Sequence, residues 1–256
     1  MRIVCQFSCG AASAVATKLI LQSFPDAEIN IYNAFIREEP EDNRRFLADC
    51  AKWFGREIDV IQNEKYNAST HEVWKKKRYI KGVMGAPCSS ELKRNLLNTT
   101  LRPDDTLVLG FTSEEQSRLD SFLDANNGRK VLAPLIELGI TKRDCFGIIE
   151  RAGIELPISY RMGYSNANCI GCPKGGQAYW QAIRRDYPVQ FLEIKAIQEA
   201  IGPGANFLRF RSGPRKDERM SLADLPLGTG DMSKEPDFSC GVLCELVDNE
   251  LKGGAE

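Results

Sequence analysis

The chain has 256 residues, of which 43% are hydrophobic and 27% are charged. This composition excludes intrinsic disorder and collagen-like structure, and the length suits one large domain or one domain with an appendage. The 34 basic and 35 acidic residues nearly balance, so a dominant electrostatic attraction to nucleic acid is not expected.

Most of the chain alternates predicted strands and helices. Short apolar, β-branched stretches predict strands, and apolar residues at helical spacing predict helices. Five strands are predicted, at 2–7, 28–35, 57–61, 106–111 and 130–133. Helices are predicted between and after them, from about 11 to 24, at 41–54, 89–98 and 116–126, after an N-cap at Thr141, and at 177–187 and 189–201. This order indicates a Rossmann-like α/β fold, in which a parallel sheet has helices on both faces.

The end of the chain has a different composition. Residues 202–256 are rich in Gly, Pro and charge, which predicts an irregular, Cys-containing tail that packs only locally. We therefore divide the chain into an α/β domain at 1–201 and a tail at 202–256. No apolar stretch approaches the roughly 20 residues that span a bilayer, and the first residues lack a signal-peptide pattern. The expectation is a cytoplasmic protein without a membrane partner.

The small-residue turn Ser8-Cys9-Gly10-Ala11-Ala12-Ser13 joins the first strand to the first helix. Backbone N–H groups and the positive helix end attract phosphate at such a turn, and small side chains let the phosphate approach. Ser8 and Ser13 can add hydroxyl donors. The turn has neither the Gly-Lys-Ser/Thr of a Walker loop nor the three-glycine dinucleotide pattern. It is either a nucleotide-binding turn of another type or a plain strand-to-helix connection.

Nine cysteines and a single histidine direct attention to sulfur chemistry. A reducing compartment makes a disulfide framework unexpected. Cys169 and Cys172 lie on one turn, Cys88 lies upstream, and Cys240 and Cys244 lie in the tail. Four thiolates suit zinc or an iron–sulfur cluster, and the spacing does not separate the two. The alternative is a set of buried thiols without a metal.

Four other cysteines have a different sequence context. Cys5, Cys50 and Cys145 fall at apolar positions of predicted strands and helices, so they are expected to be small core residues. Cys9 lies within the glycine-containing turn and is ambiguous. With only His71 available, a histidine-based catalytic triad is not expected.

Several of these motifs together resemble the phosphoadenylyl-sulfate and adenylyl-sulfate reductase family, within the PP-loop adenine-nucleotide-binding proteins. The similar segments are the turn at 7–15, Cys88 with Lys93, Gly110 with Gln116, the stretch from Pro134 to Cys172, and the tail motif at 239–243. The chain departs from the family pattern at two cysteine positions. Ser89 stands where a second adjacent cysteine is usual, and Cys244 stands where the tail motif has His.

The resemblance implies an enzyme that reduces the sulfate of an adenosine phosphosulfate-type nucleotide to sulfite, with thioredoxin or a similar dithiol donor. It implies Cys240 as the nucleophile and Lys93 as a source of positive charge for catalysis. It implies a 4Fe–4S cluster rather than zinc, held by Cys88, Cys169 and Cys172, with Cys244 as a candidate fourth ligand. The implied nucleotide-binding residues are Ser8, Cys9, Gly10, Ala11, Ser13, Gly110 and Gln116.

Two other functions stay open from the sequence. One is an ATP-dependent PP-loop sulfurtransferase that adenylates a nucleobase and then installs sulfur. The turn at 8–13 lacks the Asp of such enzymes, and acidic ligands help to hold the magnesium that ATP chemistry requires. The other is a module of the same fold that binds a nucleotide or metal without catalysis.

Overall fold

A computed structural model of the chain describes residues 1–82 and 85–235. Its central feature is a parallel five-stranded sheet in the order β3-β2-β1-β4-β5. The strands are β1 (Arg2–Gln6), β2 (Glu28–Ala34), β3 (Asp59–Ile61), β4 (Thr106–Val108) and β5 (Val131–Leu132). The predicted Rossmann-like α/β architecture is confirmed, because all five strands lie where the sequence pattern indicated and pair in parallel.

Helices flank the sheet, and none of those in the described ranges is long and apolar enough to cross a membrane. The early helices are α1 (Ala11–Ser23), α2 (Asp42–Phe54), α3 (Thr70–Lys77), α4 (Pro87–Ser89) and α5 (Asn95–Asn98). The later helices are α6 (Gln116–Ala125), α7 (Pro134–Glu137), α8 (Lys142–Arg151), α9 (Ile158–Arg161), α10 (Gln177–Asp186) and α11 (Pro188–Ile201). Thr141 caps α8 as predicted, in a capping box with Asp144.

The helix predicted at 89–98 is interrupted in the middle. Ser90–Arg94 forms a π-helical turn between α4 and α5. Such a turn contains an extra residue, so the spacing of apolar residues does not reveal it, and π turns often occur at functional sites. This turn carries Lys93.

Two large buried clusters stabilise the fold. One joins α1, α2 and α8 to the sheet, and the other joins α3, α10 and α11 to the segment after residue 202. That segment forms a short antiparallel pair of β6 (Leu208–Arg209) and β7 (Arg219–Met220). The side chains that it buries are Phe207, Leu208, Met220, Leu222 and Leu225. The expectation of purely local packing was therefore wrong for this part, because its few apolar residues all face α10 and α11.

The sheet changes direction between β1 and β4. These strands are neighbours in the sheet although β2 and β3 lie between them in the chain. Connections therefore leave β1 and β4 toward opposite sides, which opens a crevice at the carboxyl ends of the two strands. The turn after β1 is the one that the sequence singled out.

Candidate functional site

A cleft of about 310 Å³ opens at the carboxyl ends of β1 and β4. This volume is large enough for a small-molecule ligand. The sequence-predicted residues that line it are Ser8, Gly10, Ser13, Lys93 and Gly110. The switch point of the sheet, the glycine-containing turn and the Gly110 loop thus meet at one place.

Hydroxyl groups hold the turn after β1 in a compact form. The backbone N–H of Ser8 donates to Ser13 Oγ at 3.2 Å, and Ser13 Oγ donates to the Gly10 carbonyl at 2.9 Å. A Cβ atom on Gly110 would lie 3.2 Å from Ser13 Cα and 3.3 Å from Ser13 N. The loop after β4 therefore lies directly against the first turn of α1, and a larger residue at 110 would push the two apart.

Tyr160 contacts the start of α1 from the opposite side of the cleft. The backbone N–H of Ala11 donates to the Tyr160 hydroxyl at 3.3 Å, and Tyr160 lines the cleft. Ala11 itself is buried and does not belong to the lining. Its predicted contact with a nucleotide would therefore run through its backbone, beside the tyrosine hydroxyl.

Cys9 supports the turn from beneath. Its backbone is in the left-handed region, with φ of 57°, and its side chain is buried outside the cleft lining. Asn33 Nδ2 donates to the Phe7 carbonyl at 2.8 Å and to Cys9 Sγ at 3.5 Å. Burial raises the pKa of the Cys9 thiol to about 12. The thiol is thus protonated at neutral pH and structural in its surroundings. Asn33 was missed, although a polar residue near the carboxyl end of a buried strand is a usable signal.

The predicted residue Gln116 lies outside the cleft lining. It begins α6, and its Nε2 donates to Asp120 Oδ1 at 2.8 Å on the exposed side of that helix. Arg118 lines the cleft instead, with its guanidinium 4.7 Å from the centre of the Phe111 ring and paired with Glu115. The insertion of one residue relative to the family pattern, noted in the sequence, accompanies this different placement.

Lys93 is a buried cation at the inner end of the cleft. It is 7% exposed, and its Nζ lies 3.3 Å from Glu39 Oε1. Glu39 Oε2 also accepts a hydrogen bond from Arg44 Nη2 at 2.8 Å. A buried carboxylate held by two cations positions the lysine. Glu39 was missed, although it follows β2 at the edge of the sheet where ligands bind.

The charges of the cleft lining balance. Three basic residues, Lys93, Arg118 and Lys142, face three acidic residues, Glu39, Glu114 and Glu115. Lys142 Nζ donates to Asn166 Oδ1 at 3.1 Å, so this cation is also held in place. Attraction for an anion would come from the backbone N–H groups of α1 together with locally placed cations, and not from an overall positive lining.

A second cavity, of about 10 Å³, is lined by the three predicted metal ligands of the described chain, Cys88, Cys169 and Cys172. Lys93 lines this cavity as well as the cleft. As the side chains stand, the volume corresponds to roughly one water-sized atom. The structure thus brings the upstream cysteine to the Cys169 and Cys172 turn, with one lysine between that place and the cleft.

The turn that carries Cys169 and Cys172 is held by a buried tyrosine. The Tyr179 hydroxyl accepts from the Cys172 backbone N–H at 2.9 Å and donates to the Cys169 carbonyl at 3.1 Å. Burial raises the pKa of Tyr179 well above its usual value, so the hydroxyl keeps its proton. The backbone N–H of Ile170 also donates to the Glu38 carbonyl at 2.9 Å. These contacts fix the positions from which both thiols project.

The donor chemistry of this cavity suits a soft metal, because thiols from three chain segments line it. A buried N–H group of Trp74, which also lines the cavity, lacks a hydrogen-bond partner within the described chain. However, across residues 1–82 and 85–235 no three His, Cys, Asp or Glu side chains are grouped closely enough to hold a metal by themselves. A metal would need side-chain rearrangement or a further donor. The predicted nucleophile Cys240 and ligand Cys244 lie outside the described residues.

Comparison with known proteins adds no family. No protein-family model matches the chain, and a search of curated proteins gives no match. The fold, the cleft and the cysteine-lined cavity are therefore the basis for inferring what the protein does.

Gly171 provides a test of how tightly the cysteine turn is packed. Its φ is +74°, and a Cβ atom there would lie 2.2 Å from Ile194 Cδ1 and 3.2 Å from Trp180. Gly171→Ala should lower the free energy of unfolding by about 1 kcal/mol through backbone strain and by about 1–3 kcal/mol through overpacking. Gly163, with φ of +86° and nothing within 4 Å, is the control for strain alone. Urea unfolding of both alanine variants measures the difference, and equal losses would contradict the packing described.

The buried thiols make stability sensitive to alkaline pH. Burial raises the pKa of Cys5 and Cys145, like that of Cys9, to about 12 from an ordinary value of 9.0. Above pH 9 the unfolded chain loses these protons while the folded chain keeps them, so stability should fall as pH rises toward 12. Each thiol contributes a slope of about 1.4 kcal/mol per pH unit. The Cys5→Ala variant should therefore show a shallower decline than the wild type in urea unfolding between pH 9 and 10.5, and parallel curves would refute this.

Proposed function

We propose that the protein is a sulfonucleotide reductase-like enzyme, which transfers the sulfate sulfur of an adenosine phosphosulfate-type nucleotide to a cysteine and releases it as sulfite. The observation that carries the proposal is the position of Lys93, which lines both the cleft and the cysteine-lined cavity. A sulfate at the inner end of the cleft would lie beside this cation. The resemblance of the motifs to the reductase family supports the same assignment.

The nucleotide would occupy the cleft with its phosphate at the start of α1. Ser8, Gly10 and Ser13 line the cleft there, and the positive end of the helix favours an anion. Gly110 allows the opposite loop to approach closely. The balanced charges of the lining suit a ligand whose phosphosulfate group is directed to Lys93, with the adenosine in the wider part of the cleft.

The chemistry would begin with a thiolate, which we assign to Cys240 from the tail motif. The thiolate attacks the sulfate sulfur, an S–S bond forms, the S–O bond to phosphate breaks, and the adenosine phosphate leaves with the electron pair. A dithiol then reduces the sulfocysteine, releases sulfite and becomes a disulfide. Lys93 would stabilise the charge on the sulfate oxygens and on the leaving phosphate. A cytoplasmic donor of the thioredoxin kind suits this second step.

The cysteine-lined cavity would hold a metal centre, for which the resemblance favours a 4Fe–4S cluster and the small volume leaves zinc as an alternative. Cys88, Cys169 and Cys172 would be ligands, with Cys244 as the proposed fourth. When bound, the centre would fix three chain segments beside the cleft and contribute to the electric field at the sulfate. The chain's own residues would still bind and orient the nucleotide.

One observation favours a second candidate, the ATP-dependent sulfurtransferase. Three carboxylates, Glu39, Glu114 and Glu115, line the cleft and could assist magnesium binding. Each of them already accepts hydrogen bonds, from Arg44 and Lys93, from the Lys142 backbone, and from the Thr112 backbone respectively. They are therefore engaged in holding the cleft together, which makes this candidate second.

The test is an anaerobic assay with purified protein, reduced thioredoxin and adenosine phosphosulfate, with and without a 3′-phosphate. We expect sulfite and adenosine phosphate in equal amounts, and loss of both products with Cys240→Ser. A parallel incubation with ATP and transfer RNA distinguishes the second candidate by its ATP consumption. Absence of sulfite with every sulfonucleotide, although the nucleotide binds, would leave a non-catalytic binding module.

A further inference from the structure

Trp74 brings an unsatisfied hydrogen-bond donor to the cysteine-lined cavity. It lies on α3, is 1% exposed and lines the cavity together with Cys88, Cys169 and Cys172. Its Nε1 atom is buried and has no hydrogen-bond partner among the described residues. The donor and the three thiols therefore border the same small space.

A buried N–H group without an acceptor is costly. Leaving such a group unsatisfied costs about 1–3 kcal/mol, and buried tryptophans normally place their N–H on an acceptor. A phenylalanine ring would fill much of the same volume without this cost. The position therefore suits an acceptor that enters the cavity.

The chemistry of the surrounding side chains identifies that acceptor. A protonated thiol is a weak acceptor, whereas a thiolate bound to a metal carries negative charge and accepts hydrogen bonds well. Hydrogen bonds to ligand sulfur orient the ligands and change metal affinity, as do other contacts of residues behind a metal site. The three thiols are the sulfur atoms within this space.

We propose that the Trp74 indole N–H donates a hydrogen bond to a metal-held sulfur in this cavity and so acts as a positioning residue for the metal centre. This inference rests on the proposed function, because it requires the metal. It adds a residue of the chain that neither the cysteine spacing nor the family resemblance indicated. The indole would slow metal release by stabilising the charged sulfur.

Trp180 offers a matched control in the same buried cluster. It is fully buried, and its Nε1 is also without a partner in the described ranges. Unlike Trp74 it does not line the cysteine cavity, and its ring lies among Tyr179, Phe191 and Phe207. Trp180→Phe therefore removes the same N–H group at a place where it cannot meet the cavity sulfurs.

The first experiment measures metal release. Protein purified anaerobically is mixed with excess chelator, and metal transfer is followed for the wild type, Trp74→Phe and Trp180→Phe. We expect release about tenfold faster from Trp74→Phe and within about twofold of the wild type from Trp180→Phe. Equal rates for the two variants would overturn the inference. A wild-type protein without bound metal would overturn the proposed centre itself, and the inference with it.

A second measurement uses the wild-type chain and does not depend on whether a variant folds. The indole N–H proton resonances are recorded for the chelator-stripped protein and after addition of Zn²⁺. We expect the Trp74 resonance to move downfield, as hydrogen bonding requires, by more than those of Trp53 and Trp180. An unmoved Trp74 resonance in a chain that has bound Zn²⁺ would refute the hydrogen bond while leaving the metal site intact.

Discussion

Replacement of Lys93 by methionine is expected to reduce sulfite release by at least about a hundredfold, which is the typical effect of removing one donor that stabilises a transition state. Lys93 is buried at the junction of the cleft and the cysteine-lined cavity, where water screens its charge little. Methionine keeps most of the length and apolar volume of the side chain. The fall should appear mainly in kcat/KM measured with saturating reduced thioredoxin.

The same substitution should destabilise the fold, and a second variant separates the two effects. Lys93→Met leaves the Glu39 carboxylate with Arg44 as its remaining described cation, at a cost of about 2 kcal/mol. Adding Glu39→Gln removes the buried charge, so the double variant should recover most of the free energy of unfolding. It should not recover sulfite release. Recovery of activity in the double variant would show that Lys93 has only a structural role.

The second large effect is expected from Cys169→Ser, which should lose most of the bound metal under anaerobic purification. Serine keeps the size of the side chain but replaces a soft sulfur donor with oxygen, which iron–sulfur clusters and zinc–thiolate sites disfavour. Cys172→Ser and Cys88→Ser should behave alike, because all three thiols line one cavity. Iron, sulfide and zinc analysis measures the outcome and also identifies the metal.

Cys145→Ala is the matched control for this prediction. Cys145 is buried in α8 within the cluster beside the sheet, away from the cavity lining. Its loss should cost some stability and leave the metal content unchanged. An equal loss of metal from this variant would mean that metal retention reports general destabilisation, and full retention by Cys169→Ser would remove the centre from the Cys169 turn.

The parts of the fold that could be predicted from sequence are those set by local pattern. Each β-strand of the parallel sheet follows from a short apolar, β-branched stretch, and the capping box at Thr141 follows from residue type and spacing. The position of the turn at 8–13 on the cleft follows from its place between a strand and a helix. Gly110 was found through the resemblance, and its close approach to Ser13 gives that glycine a physical reason.

The parts that could not be predicted depend on contacts between distant segments. Glu39 and Asn33 have ordinary local contexts, and only the meeting of β2 with the turn after β1 makes them part of the site. The π-helical turn that carries Lys93 leaves no trace in residue periodicity. Trp74 resembles a core residue in sequence, because its relation to the cysteines arises from the packing of α3 on α4.

The most direct test of the central claim is a single-turnover reaction of the reduced protein with adenosine phosphosulfate and no external dithiol. The account predicts close to one equivalent of adenosine phosphate per chain and a sulfonate group retained on Cys240, detectable by mass spectrometry, with sulfite appearing only when thioredoxin is added. Recovery of the intact nucleotide from a protein that binds it, or release of adenosine phosphate without any modified cysteine, would contradict the account.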